Sequence, residues 1–196
     1  MNTRLRLLFS CCNLSRKEHK LTELGNNPIN LVPTRPFVDE RGIFARNFDS
    51  QILEDLGLDG NVAQANISIN RKAGTIRGFH FLNRPHSESK TLYVISGGIH
   101  LKVIDLRKES KNFMTVFEMN IVECEGFVNI AEGCAVGFQT LKDDSYIQYF
   151  MSKKYIAEQD RGIRFDDPLF SLEWPLALSN ISMRDRSFPD FSKELI

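Results

Sequence analysis

Short extended runs separated by turn residues fill most of this sequence and leave no room for long helices between them. From residue 60 onward, runs such as "QANISIN", "KTLYVIS" and "GIHLKVID" recur about every ten residues, with Gly, Asn, Asp or Ser between them. In "GIHLKVID", Ile99, Leu101 and Val103 alternate with His100 and Lys102, which is the period of a β-strand. Consecutive strands joined by such short connections pair as antiparallel neighbours. The pattern predicts an all-β fold, an antiparallel jelly-roll barrel with short peripheral helices, because closure removes exposed sheet edges.

The chain is predicted to hold one folded domain. Its 196 residues suffice for one well-buried core and leave little for a second. Residues 1–27 are polar and end in "ELGNN", which predicts a mobile N-terminal extension. Residues 28–196 carry the strand pattern and are predicted to form the single jelly-roll domain.

One stretch, "DSQILEDLGLDG", has the pattern of a short helix rather than a strand. Asp49 or Ser50 is a suitable N-cap, and Gly57 is placed to end the helix. Its apolar residues are expected to share one face. Those residues are Ile52, Leu53 and Leu56.

The charge balance and the hydrophobic pattern exclude two classes of partner. Lys and Arg number 25 and Asp and Glu number 25, so no basic field is available to hold a nucleic-acid backbone. No apolar run approaches the roughly 18 to 20 residues that span a bilayer. The first apolar run is interrupted by Arg6 and is short for a secretory signal, so we expect a cytoplasmic protein, with export as the alternative. The four cysteines include no Cys-x-x-Cys pair, which predicts free thiols in a reducing cytosol.

The run "IRGFHF" places two polar side chains, Arg77 and His80, on an otherwise apolar strand. Strict alternation separates these two side chains onto opposite faces. Gly78 lies between them, and a glycine inside a strand can host a bulge that turns one side chain toward the other face. From the residues alone, a structural histidine and a surface arginine ion pair remain the simpler interpretation.

Other site chemistries find little support in the sequence. Only one histidine lies in "FHFLN", and His86 and His100 stand at no ligand spacing from it, so we expect no metal. No Gly-x-Ser-x-Gly elbow is present for a serine hydrolase. Neither common glycine-rich phosphate loop appears. The residues therefore point to no bound cofactor.

A series of short motifs, each weak alone, follows one order along the chain. These are "DERGIF", "QANIS", "IRGFHF", "ESKTLYVISGG", "EGCAVGFQTL", "EWP" and "ISMRD". In this order and spacing, from about Ile29 to Asp185, the sequence resembles the dTDP-4-dehydrorhamnose 3,5-epimerases, as a divergent member. The run "IRGFHF" is the most diagnostic of the motifs.

The resemblance implies a cupin-type jelly roll that forms a homodimer and has neither a metal in the barrel nor a cofactor. It implies an isomerase of deoxysugar and cell-surface polysaccharide biosynthesis. Its substrate would be a nucleoside-diphosphate-4-keto-6-deoxy sugar. The enzyme would invert C3, C5 or both, by removing and returning a proton next to the ketone.

The resemblance also assigns residues to the site. It makes His80, Asp185 and Tyr149 catalytic. A neutral histidine is available as a base at neutral pH, because its ordinary pKa is near 6.5. Asp185 would fix the tautomer of His80 and stabilise the imidazolium, and Tyr149 would deliver a proton from the opposite face.

The resemblance assigns five further residues to substrate binding. Arg41, Arg77 and Lys90 would hold the diphosphate, the arginines by a planar fork and the lysine as a point charge. Gln64 and Asn66 would line the nucleotide and sugar site. Such anchoring places the reacting carbon against the base and lowers the entropic part of the barrier.

The sequence departs from the family pattern around the sugar pocket. Val136 stands where the family has a second active-site histidine. Further departures are Ala131, Cys134, Arg46, Ile67 and His100, while Tyr155 lies near the position of an aromatic that can stack on the base. Two alternatives stay open: a barrel that binds a sugar nucleotide without turnover, and a 3,4-keto-isomerase, which would use two histidines where one is visible here.

Overall fold

The computed structural model describes residues 27–196, so the predicted N-terminal extension, apart from its last residue, lies outside the described residues. The described residues form twelve strands: β1 Ile29–Pro33, β2 Phe37–Asp39, β3 Gly42–Phe44, β4 Gln64–Asn70, β5 Ile76–Leu82, β6 Lys90–Ser96, β7 Gly98–Asp105, β8 Val116–Val122, β9 Gly126–Ile130, β10 Cys134–Thr140, β11 Ser145–Met151 and β12 Asp160–Gly162. Their helices are α1 Ser50–Asp55, α2 Met183–Arg186 and the 3-10 turns Ala157–Gln159 and Lys193–Leu195. None of these helices is long and apolar enough to cross a membrane.

Two five-stranded sheets face each other. The first has the order β1-β9-β6-β11-β4 and the second the order β12-β5-β10-β7-β8, while β2 and β3 form a separate hairpin. Every pair of strands in these sheets is antiparallel. The predicted antiparallel jelly roll with short peripheral helices is therefore confirmed.

The main core lies between the sheets and follows the predicted alternation of β7. Ile99, Leu101 and Val103 are fully buried there and pack against the inner faces of β6, β9 and β11. Full burial of such a side chain stabilises the fold by about 1.5–3 kcal/mol. This packing fixes the two sheets around the cavity described below.

A second core covers the outer face of β5 and β10. The C-terminal segment supplies Phe170, Trp174 and Phe191, which pack with Phe79 and Ile163. The ring centroids of Phe79 and Trp174 lie 5.9 Å apart. Through this packing the C-terminal segment is held against β5, where it brings α2 to the edge of the barrel.

Helix α1 begins as predicted at Asp49, whose side chain accepts a hydrogen bond from the Ile52 N–H at 3.1 Å. Gly57 follows the helix with φ +71, a conformation that suits glycine. Leu53 is fully buried, but Ile52 is 38% exposed. The predicted apolar face was thus wrong for Ile52, because Leu53 and Leu56 pack into the cluster with Val32, Tyr93 and Phe127 and Ile52 does not.

Strand β5 carries a bulge at Gly78, as the sequence suggested. His80 lies opposite Val136, but Arg77 lies opposite Phe138, so three steps along β5 match two along β10. Gly78 has φ +104, and a Cβ placed on it would lie 2.4 Å from the Val136 carbonyl oxygen. The close approach and the positive φ both require glycine here.

Candidate active site

A cavity of about 270 Å³ opens between the two sheets. Strands of both sheets line it, together with the segments before β6 and around β12. Its lining residues are Asn66, Ser68, Arg77, His80, Phe81, Leu82, Glu88, Lys90, Val136, Phe138, Tyr149, Met151, Tyr155 and Asp160. Five residues that the sequence assigned to the site, namely Asn66, Arg77, His80, Lys90 and Tyr149, are thus brought together here.

The bulge at Gly78 is what places Arg77 and His80 at one cavity. Without it, residues three apart on a strand project to opposite faces. Arg77 Nε donates to Asn70 Oδ1 at 2.7 Å, and Arg77 is otherwise exposed. Its guanidinium therefore keeps donors available for an anionic group at the cavity.

His80 is paired with Asp185, as the resemblance implied. The His80 Nε2 atom lies 2.8 Å from Asp185 Oδ1, and the Gly78 N–H donates to Asp185 Oδ2 at 3.1 Å. Helix α2 holds the aspartate, since its N-cap Ser182 accepts from the Asp185 N–H at 3.0 Å. The other ring nitrogen of His80, Nδ1, has no hydrogen-bond partner among residues 27–196 and is available to a ligand.

Asp185 is kept ionised by its contacts. Burial raises the pKa of this carboxyl. The hydrogen bond and charge of His80 and the Gly78 N–H lower it by more than burial raises it, so the pKa lies below the ordinary 3.8. The Asp185 side chain is 6% exposed and that of His80 is 35% exposed. A buried carboxylate behind a half-open imidazole orients the ring and stabilises its charged form.

Tyr149 lies on β11, in the sheet opposite His80. Burial raises its pKa above the ordinary 10.0, and the Ser68 hydroxyl and the Arg77 charge only partly oppose this. The ring packs against Phe138 with centroids 6.4 Å apart. Tyr149 is therefore protonated at neutral pH and can donate a proton into the cavity.

Lys90 is the buried cation of the site. Its Nζ donates to the His80 carbonyl oxygen at 3.1 Å and lies 3.6 Å from Glu88 Oε1. Burial lowers the pKa of Lys90, and the charges of Glu88 and Asp160 oppose that shift. Sequence reasoning missed Glu88, although its position two residues before Lys90 places both on the same side of an extended chain.

The rim of the cavity holds a second polar group that the sequence did not indicate. Asp160 Oδ2 accepts from the Tyr155 hydroxyl at 2.8 Å and from Arg184 Nη2 at 2.7 Å. Gln64 does not line the cavity; its Oε1 accepts from the Tyr155 N–H at 2.5 Å. Gln64 thus contacts the cavity lining only through the backbone of Tyr155. No local pattern links β12 to α2, so only the folded chain reveals the pair formed by Asp160 and Arg184.

Arg41 lies away from the cavity of its own chain. It occupies the turn between β2 and β3, where its side chain is 81% exposed and ion-paired with Asp39 at 2.5 Å. It is absent from the residues that line the cavity. Of the residues assigned to the site, three do not line the cavity: Asp185, which lies behind His80, Gln64 and Arg41.

The departures from the family pattern fall into two places. Val136 lies opposite His80 on β10 and contributes to an apolar cavity wall with Phe138 and Met151. Ile67 is 58% exposed and does not line the cavity. The change at Val136 therefore alters the pocket, whereas the change at Ile67 alters the protein surface.

The fold and this site define a class of protein: a jelly-roll enzyme with a cavity lined by a tyrosine, a lysine and a histidine that pairs with a buried aspartate. The family model for dTDP-4-dehydrorhamnose 3,5-epimerase matches residues 27–193, and the chain belongs to this family of isomerases.

Individual relatives agree with that assignment. A dTDP-4-dehydrorhamnose 3,5-epimerase of Sinorhizobium fredii is 31% identical over 163 residues, covering 82% of this chain and 84% of the relative. A dTDP-4-dehydrorhamnose 3-epimerase of Streptomyces niveus is 26% identical over 169 residues, covering 85% and 81%. The structure of the Bacillus anthracis 3,5-epimerase with TDP and PPi bound superposes with a TM-score of 0.79 at 30% identity, covering 90% of this chain and 99% of that chain.

Proposed function

We propose that this protein inverts C3, C5 or both of a nucleoside-diphosphate-4-keto-6-deoxy sugar, with a dTDP-linked sugar as the first candidate. The observation that carries the proposal is the pairing of buried Asp185 with His80, which lines a cavity together with Tyr149 and Lys90. The names of the relatives support the nucleotide and the sugar class.

His80 is the base in this proposal. Its free Nδ1 takes the proton from the carbon next to the ketone, and the electron pair moves onto the ketone oxygen to form an enolate. Asp185 stabilises the imidazolium that results. Tyr149, on the opposite sheet, returns a proton to the other face of the carbon, and its phenolate is reprotonated from solvent.

Lys90 is assigned here to the enolate oxygen, whereas the resemblance assigned it to the diphosphate. Its Nζ is buried next to the His80 backbone, where the reacting end of the sugar would lie. Preorganised positive charge at developing negative charge is the strongest common contribution to catalysis. Arg77, which is exposed at the cavity, is the diphosphate ligand in this arrangement, and Asn66 contacts the sugar.

We also propose that the protein is a homodimer whose interface includes the β2–β3 hairpin and the outer face of β4. The hairpin exposes Phe37 by 62% and Phe44 by 76%, and β4 exposes Ile67 and Ile69 by about half. Apolar surface of this kind marks an interface. Arg41 lies at the hairpin turn, so a dimer would let it reach the diphosphate in the partner's cavity.

Two measurements test the dimer. Phe44→Asp is expected to give a monomer in analytical ultracentrifugation, and a dimer of unchanged affinity contradicts the interface. Mixing inactive Arg41→Ala with inactive His80→Asn tests the reach of Arg41. If Arg41 acts across the interface, mixed dimers contain one intact site and activity returns; if it acts within its own chain, none returns.

We also propose that the protein is located in the cytoplasm. Cys134 is a buried thiol and is not in a disulfide, which suits a reducing compartment. Fractionation of the native host would place the protein, and recovery outside the cytoplasm contradicts this.

The test of the activity is wash-in of solvent deuterium. Incubation with dTDP-, GDP- and CDP-4-keto-6-deoxyglucose in deuterium oxide is expected to label C3, C5 or both for at least one donor. Label at C3 alone identifies a 3-epimerase. No exchange with any donor overturns the proposal.

Val136 favours one competing function, a barrel that binds a sugar nucleotide without turnover. In that case calorimetry would show binding while the deuterium experiment showed none. Exchange that His80→Asn abolishes would reject it.

A further inference from the structure

A buried carboxylate lies beside Lys90, and the reaction proposed above gives it no role. Glu88 lines the same cavity as Lys90 and His80, and its side chain is only 5% exposed. Its Oε1 lies 3.6 Å from Lys90 Nζ. An ionised carboxylate is costly to bury unless a partner compensates it, so Glu88 and Lys90 depend on each other.

Hydrogen bonds of Ser89 hold the segment that carries Glu88 and Lys90 in place beside the cavity. Ser89, between the two residues, points to the opposite side, where its hydroxyl donates to Asp59 at 2.8 Å. The Ser89 N–H donates to Ser152 Oγ at 2.9 Å. These contacts anchor the segment at the start of β6 and hold Glu88 and Lys90 side by side.

The other carboxylate of the cavity, Asp160, is already engaged. Its Oδ2 accepts from the Tyr155 hydroxyl and from the Arg184 guanidinium, so its charge is balanced at the rim. Within the described part of the chain, Glu88 is the carboxylate within ion-pair distance of Lys90. The two acidic residues therefore serve different cations.

Burial and the opposite charge of the partner shift the pKa of each group in opposite directions. Burial lowers the pKa of Lys90, and Glu88 opposes this first, followed by Asp160. Burial raises the pKa of Glu88, and Lys90 opposes this, with a smaller contribution from Lys153. The other groups whose charges act on the pair are Asp160, Lys153 and the Cys134 thiol. Among the described residues, Glu88 is the one that forms an ion pair with Lys90.

We propose that Glu88 is a positioning residue that keeps Lys90 charged and directed at the oxygen of the enolate. It acts through Lys90 and exchanges no proton with the substrate. The inference rests on the proposed function, because the role of Lys90 does.

The first test is the pH profile of deuterium exchange in Glu88→Gln, which keeps the shape of the side chain and removes its charge. Loss of an opposite charge at this distance lowers a lysine pKa by about one unit or more. The alkaline limb of kcat is therefore expected to move to lower pH by about one unit or more, with KM little changed. Glu109→Gln, which removes an exposed ion pair with Arg84, is the matched control and should leave the limb in place. An unmoved limb in Glu88→Gln overturns the inference.

The second test asks whether Glu88 acts through Lys90. In a Lys90→Met background, adding Glu88→Gln is expected to cause no further loss of exchange, measured over long incubations. A further loss would show that Glu88 acts directly and would overturn the positioning role. Glu88→Asp, which keeps the charge on a shorter arm, should give an intermediate limb and serves if the glutamine variant fails to fold.

A third measurement needs no substrate. Heteronuclear NMR of the lysine side-chain amines, with Lys90 assigned by its loss in Lys90→Met, reports its titration midpoint directly. The midpoint should be lower in Glu88→Gln than in the unaltered protein. Equal midpoints overturn the inference, whereas absence of exchange in the unaltered protein overturns the proposed function and leaves this readout intact.

Discussion

Two histidines lie on the two strands that flank β10, and only one of them lies at the cavity. His80 on β5 pairs with Asp185, whose side chain is 6% exposed, at 2.8 Å. His100 on β7 lies 3.4 Å from Glu118, whose side chain is 56% exposed, and shares a hydrogen bond with Asn120. Both histidines pair with a carboxylate, and both lie on strands of the same sheet, separated by β10.

The difference lies in strand geometry and in what covers each strand. Strand β7 keeps strict alternation, so His100 points to the outer face, where it meets the edge of Trp174 with centroids 6.3 Å apart. Strand β5 is bulged at Gly78, which brings His80 to the cavity beside Arg77. On the regular strand the histidine lies on the outer face and is structural, whereas on the bulged strand the histidine lies at the cavity and is the candidate base.

The largest expected effect separates the two histidines by activity. His80→Asn should reduce deuterium exchange by about 10²–10⁴-fold, because the variant lacks the base of the proposed mechanism. His100→Asn, the matched control, should retain exchange. Equal losses in both variants would show that the distinction between the two sites is wrong.

Asp185→Asn tests the partner of His80 and has a pH signature. It should reduce exchange less than His80→Asn, because the imidazole remains but its charged form loses support. The folded pKa of Asp185 lies below 3.8, so its stabilisation is present above that pH and is lost as the pH falls through the folded value.

The free energy of unfolding measures this signature by urea titration. The difference between Asp185→Asn and the unaltered protein should be larger at about pH 6 than at about pH 3. A difference that grew on acidification would contradict the assigned ionisation of Asp185.

Gly78→Ala sharpens the comparison of bulged and regular strands. A Cβ here would lie 2.4 Å from the Val136 carbonyl oxygen, and alanine would also be strained at the positive φ of this position. We expect a loss of about 1–3 kcal/mol in unfolding free energy together with a loss of exchange. Gly57→Ala is the control, since Gly57 shares the positive φ but has nothing within 4 Å of the added Cβ. A smaller cost at Gly78 than at Gly57 would contradict the close approach.

The smallest effect is expected at the pair formed by His100 and Glu118. Glu118→Gln removes the charge of the exposed partner of His100 and of the buried Lys102 but keeps an oxygen that accepts a hydrogen bond, so it should cost about 1 kcal/mol. Thermal unfolding at low and high salt would measure it. A large cost would mean that this outer pair contributes more than its exposure implies.

Much of the fold was readable from local patterns. The strands, the antiparallel pairing and the helix start at Asp49 follow from alternation, short connections and capping chemistry, which act within a few residues. The exposure of Ile52 did not follow, because it depends on which side chains of the short helix pack against the sheet.

The site was readable only in part. Physical reasoning from the strand separated Arg77 and His80, and the resemblance was needed to assign them together. Glu88 and the pairing of Asp160 with Arg184 were missed, because burial and contacts between distant segments have no local pattern.

The sequence by itself determined the period of each strand, the glycine that permits the bulge and the identities of the groups available for proton transfer. Only the tertiary structure decided which of those groups share a cavity. It set Asp185, 105 residues away in the chain, against His80, and it left Arg41 in an exposed hairpin turn. The reason is physical: alternation and turn chemistry depend on neighbours in the chain, whereas burial, ion pairing and the resulting pKa values depend on neighbours in space.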